Sequence, residues 1–158
     1  MSKLESHSTG IGDYPALVVV DMCKAFIDSS SPLGFECNEL IQANINLVNK
    51  FRLNKFPVIF TTTIYRNPSE ASVFRSKIPA LNILEPESDA VTFIDDLAPS
   101  KDEILIEKKF ASAFFQTKLI DSLHKMKADS IVICGVTTSG CVRATAVDSL
   151  QNNFPTTI

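Results

Sequence analysis

One segment restricts the possible folds of this chain more than any other: Ala16-Leu-Val-Val-Val20, closed by Asp21. A strand with one wet face alternates apolar and polar residues. This run is apolar and mostly β-branched at every position, so both of its faces must be covered. That is the pattern of a parallel sheet flanked by helices. Pro57-Val-Ile-Phe-Thr61, Glu103-Ile-Leu-Ile-Glu107 and Ile131-Val-Ile-Cys134 read as further strands, and Phe154-Pro-Thr-Thr-Ile158 as the start of a fifth. Between them, Glu39–Asn54 carries Leu40, Ile41, Ile45, Leu47, Val48 and Phe51 at helical spacing. Helices are also expected over Ala113–Lys127 and Val142–Asn152. The alternation predicts an α/β fold, a three-layer α-β-α arrangement of Rossmann-like type around a mostly parallel sheet. Thr62–Ser100, which contains Pro68, Pro79, Pro86 and Pro99, is expected to be mostly loop with short helical pieces. A connection of that length in a compact domain is more often functional than idle.

The 158 residues suit a single domain, long enough to bury roughly 70% of its unfolded surface. Residues 1–13 are polar and read as a flexible leader, with the folded domain over 14–158. The leader has no apolar stretch of signal-peptide type, which leads us to expect a cytoplasmic protein. A net charge of −3 gives no basic footprint for nucleic acid. No apolar run approaches the ~20 residues of a membrane span. The four cysteines, Cys23, Cys37, Cys134 and Cys141, form no CxxC pair and have no histidine nearby. They are expected to be free thiols, and no metal is expected.

In open parallel sheets, ligands bind beyond the carboxyl ends of the strands. Asp21, Thr61, Lys108 and Gly135 all follow such ends, so the polar candidates should converge on one rim. The richest stretch is Gly135-Val-Thr-Thr-Ser-Gly-Cys-Val-Arg-Ala144, which puts Cys141 where a strand hands over to a helix. Backbone N–H groups and the positive helix end there should favour a thiolate. Gly135 and Gly140 would let a substrate approach the backbone. Asp21 can accept a thiol proton and later return it, and Lys108 can stabilise the charges and orient the aspartate. Each residue alone has a plainer reading: a loop or cap aspartate, a solvated strand-end lysine, a buried structural thiol. Taken together they describe a nucleophilic site. Neither His7, in the leader, nor His124, within a helix, is placed to act as the base.

These residues carry a resemblance. Val19-Val-Asp-Met22, Glu107-Lys-Lys-Phe-Ala-Ser-Ala-Phe-Phe115 and Gly135-Val-Thr-Thr-Ser-Gly-Cys-Val-Arg-Ala-Thr-Ala146 are similar, in order, to three signature blocks of the isochorismatase-like cysteine hydrolases. The likeness runs from about Tyr14 to the end of the chain. It implies an Asp21–Lys108–Cys141 triad, with Lys108 rather than Lys109 as the family lysine. It also implies a cis peptide at Val136–Thr137, with the backbone N–H groups of Thr137 and Cys141 as an oxyanion hole. Thr138, Tyr65 and Arg66 are the candidate substrate-binding residues.

Within the superfamily, Thr61-Thr-Thr-Ile-Tyr-Arg-Asn67 lacks the histidines of a nicotinamidase metal site, and isochorismatases proper lack the cysteine. The motifs are most similar to the N-carbamoylsarcosine amidase and maleamate amidase branch. This implies cofactor-free cleavage of a C–N bond in a small amide or carbamoyl compound, by way of a thioester. Family members usually continue for a further strand, helix and strand, so relative to them this chain reads as truncated at its C-terminus. In the amidase branch an arginine in that region holds the substrate carboxylate. Arg66 and Arg75 are the substitutes on offer, and Arg143 more plainly braces the turn. The resemblance implies a homo-oligomer, and Thr156–Ile158 would leave a sheet edge open. Two other readings compete: a catalytically impaired oligomerisation or binding module, and a generic nucleotide-binding domain. The latter is weak because no glycine-rich phosphate loop follows the first strand.

Overall fold

The computed structural model describes residues 7–158. Five strands, β1 (Pro15–Val20), β2 (Val58–Thr63), β3 (Ile104–Lys108), β4 (Ser130–Gly135) and β5 (Thr156–Thr157), form one sheet in the order β3-β2-β1-β4-β5. Every pairing is parallel. All six residues of β1 are buried, as its unbroken apolar run requires. Alternation along that strand divides the core. Leu17 and Val19 join Val58, Phe60 and Val132 on one face, under Val48 and Phe51 of α2 (Asn38–Leu53). Ala16, Val18 and Val20 join Ile59, Ile131 and Ile133 on the other, where Leu119 and Leu123 of α4 (Leu119–Met126) and Ala146 of α5 (Arg143–Gln151) cover them. The result is the expected three-layer sandwich.

The chain leaves β1 in one direction to lay down β2 and β3, then crosses back to place β4 on the opposite side of β1. β1 and β4 therefore flank the point where the winding reverses. A crevice opens there beyond the carboxyl ends of the strands.

The connection from β2 to β3 holds α3 (Ser72–Lys77) and three short 3₁₀ turns, Pro79–Ile83, Asp89–Val91 and Asp95–Leu97. It is pinned by the buried side chains of Leu81, Leu84 and Leu97. Cys23, just before the short helix α1 (Lys24–Ile27), makes an antiparallel bridge to Phe93, and the Lys24 N–H donates to the Thr92 carbonyl at 2.8 Å. The segment thus lies against the start of α1, which follows the carboxyl end of β1.

One helix departs from expectation. The sequence predicted it over Ala113–Lys127, but α4 begins at Leu119. Hydroxyl groups in the intervening stretch satisfy the backbone locally and compete with the helix. Ser112 Oγ accepts from the Phe114 N–H at 3.1 Å, and Thr117 Oγ1 accepts from the Leu119 N–H at 3.1 Å. The Ala113 N–H is taken by Thr145 Oγ1 at 3.0 Å.

Of residues 1–13, expected to be a flexible leader, Met1–Ser6 fall outside the described residues. At its other end, the Asp13 and Tyr14 N–H groups donate to Asp129 Oδ2 at 2.8 and 2.9 Å, and the Gly12 N–H donates to Ser130 Oγ at 2.9 Å.

Gly135 closes β4 with φ +114°, and a Cβ there would lie 2.1 Å from the Val20 carbonyl oxygen. The conformation and the close approach to β1 both demand glycine. We expect Gly135→Ala to lower the unfolding free energy by roughly 2 kcal/mol or more in urea titration. A variant within about 0.5 kcal/mol of the parent would show that β1 and β4 separate there at little cost.

Candidate active site

The rim is assembled from the ends of three adjacent strands and one turn. β1 ends at Asp21, whose φ of +52° puts it in the left-handed region, where aspartate is among the more tolerant residues. β3 ends at Lys108, which lies beside Thr63 in the register of β2 and β3. Both charged side chains are sealed from solvent, at 0% and 1% exposure. Lys108 Nζ lies 2.7 Å from Asp21 Oδ2. It also donates to Thr63 Oγ1 and to the Phe110 carbonyl, each at 2.9 Å, and lies 3.5 Å from Cys141 Sγ. The other carboxylate oxygen, Asp21 Oδ1, accepts from Thr61 Oγ1 at 2.8 Å, and that hydroxyl in turn accepts from the Asp21 N–H at 3.2 Å. Asp21 Oδ2 is buried without a well-aligned hydrogen-bond donor, so it retains acceptor capacity beside the ammonium.

Thr61 and Thr63 were not singled out for this role from the sequence. The signal was present: two hydroxyls on the same face, two residues apart, at the end of an otherwise apolar buried strand.

Cys141 arrives from the other side of the reversal point. After β4 the Val136–Thr137 peptide bond is cis, and Thr138–Val142 forms a wide π-type turn interrupted at Gly140 (φ −110°, ψ −105°). Thr145 Oγ1 accepts from the Ala113 N–H and donates to the Cys141 carbonyl at 2.7 Å, joining this turn to the segment after β3.

The thiolate expected from the sequence requires correction. α5 starts at Arg143, so the cysteine lies just before the helix as expected, but burial opposes its charged form. The Cys141 thiol is pushed up to about 12, first by burial and then by the Asp21 carboxylate, with the Lys108 ammonium pulling the other way. Burial also works against the Lys108 ammonium, but Asp21 and Cys141 outweigh it and hold that group above its ordinary range. Burial and the Asp21 carboxylate thus favour the protonated thiol, while the Lys108 ammonium favours its ionised form.

A cavity of about 250 Å³ opens above the sulfur. Its floor is Thr63, Lys108, Thr137, Gly140 and Cys141. Its walls include Phe26, Phe74, Leu81 and Phe110, together with the ring of Tyr65. Of the three candidate substrate-binding residues, only Tyr65 lines it. Thr138 is exposed on the turn, outside the lining. Arg66 lies outside the lining, and its guanidinium makes a two-pronged contact with Glu107 at 2.6 and 3.0 Å. Glu107 alternates with the inward Lys108 along β3, so this pair lies on the opposite, solvent side. Arg75 packs 4.7 Å from the centroid of the Tyr65 ring and donates to Asn82 Oδ1 at 2.8 Å. Arg143 donates to the Ser139 carbonyl, bracing the turn. Lys109 contacts the Ile64 carbonyl and Glu70 rather than the thiol. Among the described residues, no three histidine, cysteine, aspartate or glutamate side chains gather so as to hold a metal ion.

Residues 15–158 match the isochorismatase domain model. The chain belongs to the isochorismatase domain family. It is 30% identical to maleamate amidohydrolase of Pseudomonas putida, over 94% of this chain and 71% of that protein. It is 33% identical to N-carbamoylsarcosine amidase of an Arthrobacter species, over 92% of this chain but 57% of that one. This member therefore spans little more than half the length of the second relative. The crystal structure of a cysteine hydrolase from Pseudomonas syringae superposes with a TM-score of 0.89 at 28% identity, covering 99% of this chain and 75% of that one.

A raised thiol has a spectroscopic consequence. The thiolate absorbance lost in Cys141→Ala should titrate above the ordinary thiol value of 9.0, toward about 12. Asp21→Asn removes a cause that raises it and should move that step to lower pH. A step below about pH 7 would show instead a resting thiolate of the low-pKa kind.

Proposed function

We propose that this isochorismatase-family chain is a cysteine-dependent hydrolase that cleaves the C–N bond of a small amide or carbamoyl compound, releasing ammonia. The reading rests on one observation: a buried lysine–aspartate ion pair in contact with a cysteine that lines a cavity, with the paired carboxylate oxygen lacking an aligned hydrogen-bond donor. The two curated relatives described above are, by name, an amidohydrolase and an amidase, which supports the type of bond.

In this mechanism Asp21 takes the Cys141 proton as sulfur attacks the substrate carbonyl, so the thiolate forms only as the bond is made. Lys108 balances the charge on the sulfur and on the departing system. The backbone N–H groups of Thr137 and Cys141 would receive the developing oxyanion. Collapse of the tetrahedral intermediate breaks the C–N bond, and the proton held by Asp21 leaves with ammonia. Asp21 then deprotonates a water molecule that attacks the thioester, and the proton returns to sulfur as the acid product departs. A thiol pushed up to about 12 is a poor nucleophile alone at neutral pH. The scheme therefore depends on Asp21 as a general base.

Cys141→Ala should abolish ammonia release from any amide the parent hydrolyses. Asp21→Asn and Lys108→Met should each reduce kcat by about 10³-fold or more, and the double variant little further, because parts of one device do not contribute additively. Thermal unfolding of each variant should be measured alongside, since an unpaired buried charge is itself destabilising. Additive losses in folded variants would show that the residues act separately. Activity should also persist after prolonged chelator treatment; loss with recovery on adding zinc would contradict the scheme.

A further inference from the structure

Three consecutive threonines close β2: Thr61, Thr62 and Thr63, all of them buried. Side chains alternate across a strand, so Thr61 and Thr63 share one face and Thr62 takes the other. Thr62 Oγ1 is sealed from solvent and has no hydrogen-bond partner among the described residues. The two hydroxyls on the opposite face are fully engaged, and they treat the two oxygens of Asp21 differently.

Oδ1 is filled. The Thr61 hydroxyl accepts from the Asp21 N–H at 3.2 Å and has one hydrogen to give, which goes to Oδ1 at 2.8 Å. A proton placed on Oδ1 would meet that hydrogen head-on. It would strand the hydroxyl in the interior, where an unmade hydrogen bond is costly.

Oδ2 is kept open. The Lys108 ammonium lies 2.7 Å away, yet its three hydrogens have other acceptors. These are Thr63 Oγ1 and the Phe110 carbonyl, each at 2.9 Å, and Cys141 Sγ at 3.5 Å. Charge therefore reaches Oδ2 without an aligned hydrogen. The sulfur, which accepts from Lys108, must direct its own hydrogen elsewhere.

We propose that Thr61 and Thr63 are positioning residues that leave Asp21 Oδ2 as the single seat for the Cys141 proton. Thr61 occupies Oδ1, and Thr63 draws an ammonium hydrogen away from Oδ2. This rests on the hydrolase reading above and names the path of the proton within it. As sulfur bonds to the electrophilic carbon, the S–H bond breaks and its proton moves to Oδ2. The same oxygen later gives that proton to the departing nitrogen.

The reaction of Cys141 with 2-chloroacetamide, followed by mass spectrometry of the alkylated peptide, tests this without turnover. Sulfur displaces chloride there, and the thiol proton must leave. At about pH 7 a thiol pushed up to about 12 is almost wholly protonated, so the reaction depends on Asp21 as base. Valine keeps the shape of threonine without its hydroxyl. Thr61→Val and Thr63→Val should each slow alkylation about 10-fold or more, and serine at either position should restore it to within about 3-fold of the parent. Thr62→Val removes a hydroxyl that has no partner and should stay within about 2-fold. The gap should narrow toward about pH 10, where hydroxide competes with Asp21 for the proton; a general distortion of the site would not behave so. If valine prevents folding, Thr61→Ala and Thr63→Ala are read in the same way.

In ammonia release from an amide the parent hydrolyses, Thr61→Val and Thr63→Val should lose kcat with KM within about 2-fold. If the parent hydrolyses none while the alkylation pattern holds, the hydrolase reading falls and the proton path stands. Parent-like alkylation in either Thr61→Val or Thr63→Val, equal slowing in Thr62→Val, a loss that serine does not restore, or a gap unchanged with pH each overturns the proposal.

Discussion

The buried contact between Lys108 and Asp21 is the constraint to which the rest of this structure answers. The two residues end strands that are not neighbours, since β2 lies between β3 and β1. Two strand spacings amount to about 10 Å, so only a long side chain can cross the gap. It must leave its own strand on the correct face, because a slip of one residue in β3 would send Lys108 to solvent and Glu107 inward. Thr61 and Thr63 on the intervening strand supply hydroxyls to the aspartate and to the lysine respectively. Removing two such charges from water costs several kcal/mol per ion, and attraction between them recovers that only when hydrogen bonds complete both shells. A pair of this kind is weak evidence of stabilisation. It makes better sense as a fixed electrostatic environment for the sulfur beside it.

That environment works against the intuition of a permanently ionised cysteine. Burial is the largest influence on the thiol and the Asp21 carboxylate adds to it, while the Lys108 ammonium opposes both without reversing the direction. A thiol kept neutral until a base removes its proton is less exposed to adventitious oxidation than a standing thiolate.

Much of this was legible in the sequence because it depended on local pattern. The run Ala16–Val20 had to be a buried strand, and its pattern put Asp21 at a strand end, while Lys108 and Cys141 were picked out by the resemblance of their motifs. What could not be read were contacts between distant segments. Nothing local to Arg66 reveals that Glu107 will claim it, yet that pairing removes it from the cavity. The start of α4 was misplaced because Ala113–Phe115 has reasonable helical character, while the hydroxyls of Ser112, Thr117 and Thr145 offer its backbone other partners. The protonation state of Cys141 was equally out of reach, since it depends on how tightly the surrounding segments close over the sulfur.

The cavity draws its floor and its walls from different parts of the fold. The floor sits on two strand ends, Thr63 and Lys108, and on the turn after β4, both held by the sheet. The walls, Phe26, Leu33, Phe74, Ile78 and Leu81, belong to excursions outside the sheet. Such a partition separates what must be inherited unchanged from what is free to vary. Descendants of this chain could trade one ligand for another through changes in those excursions alone, while the charged base beneath them passed from one generation to the next untouched.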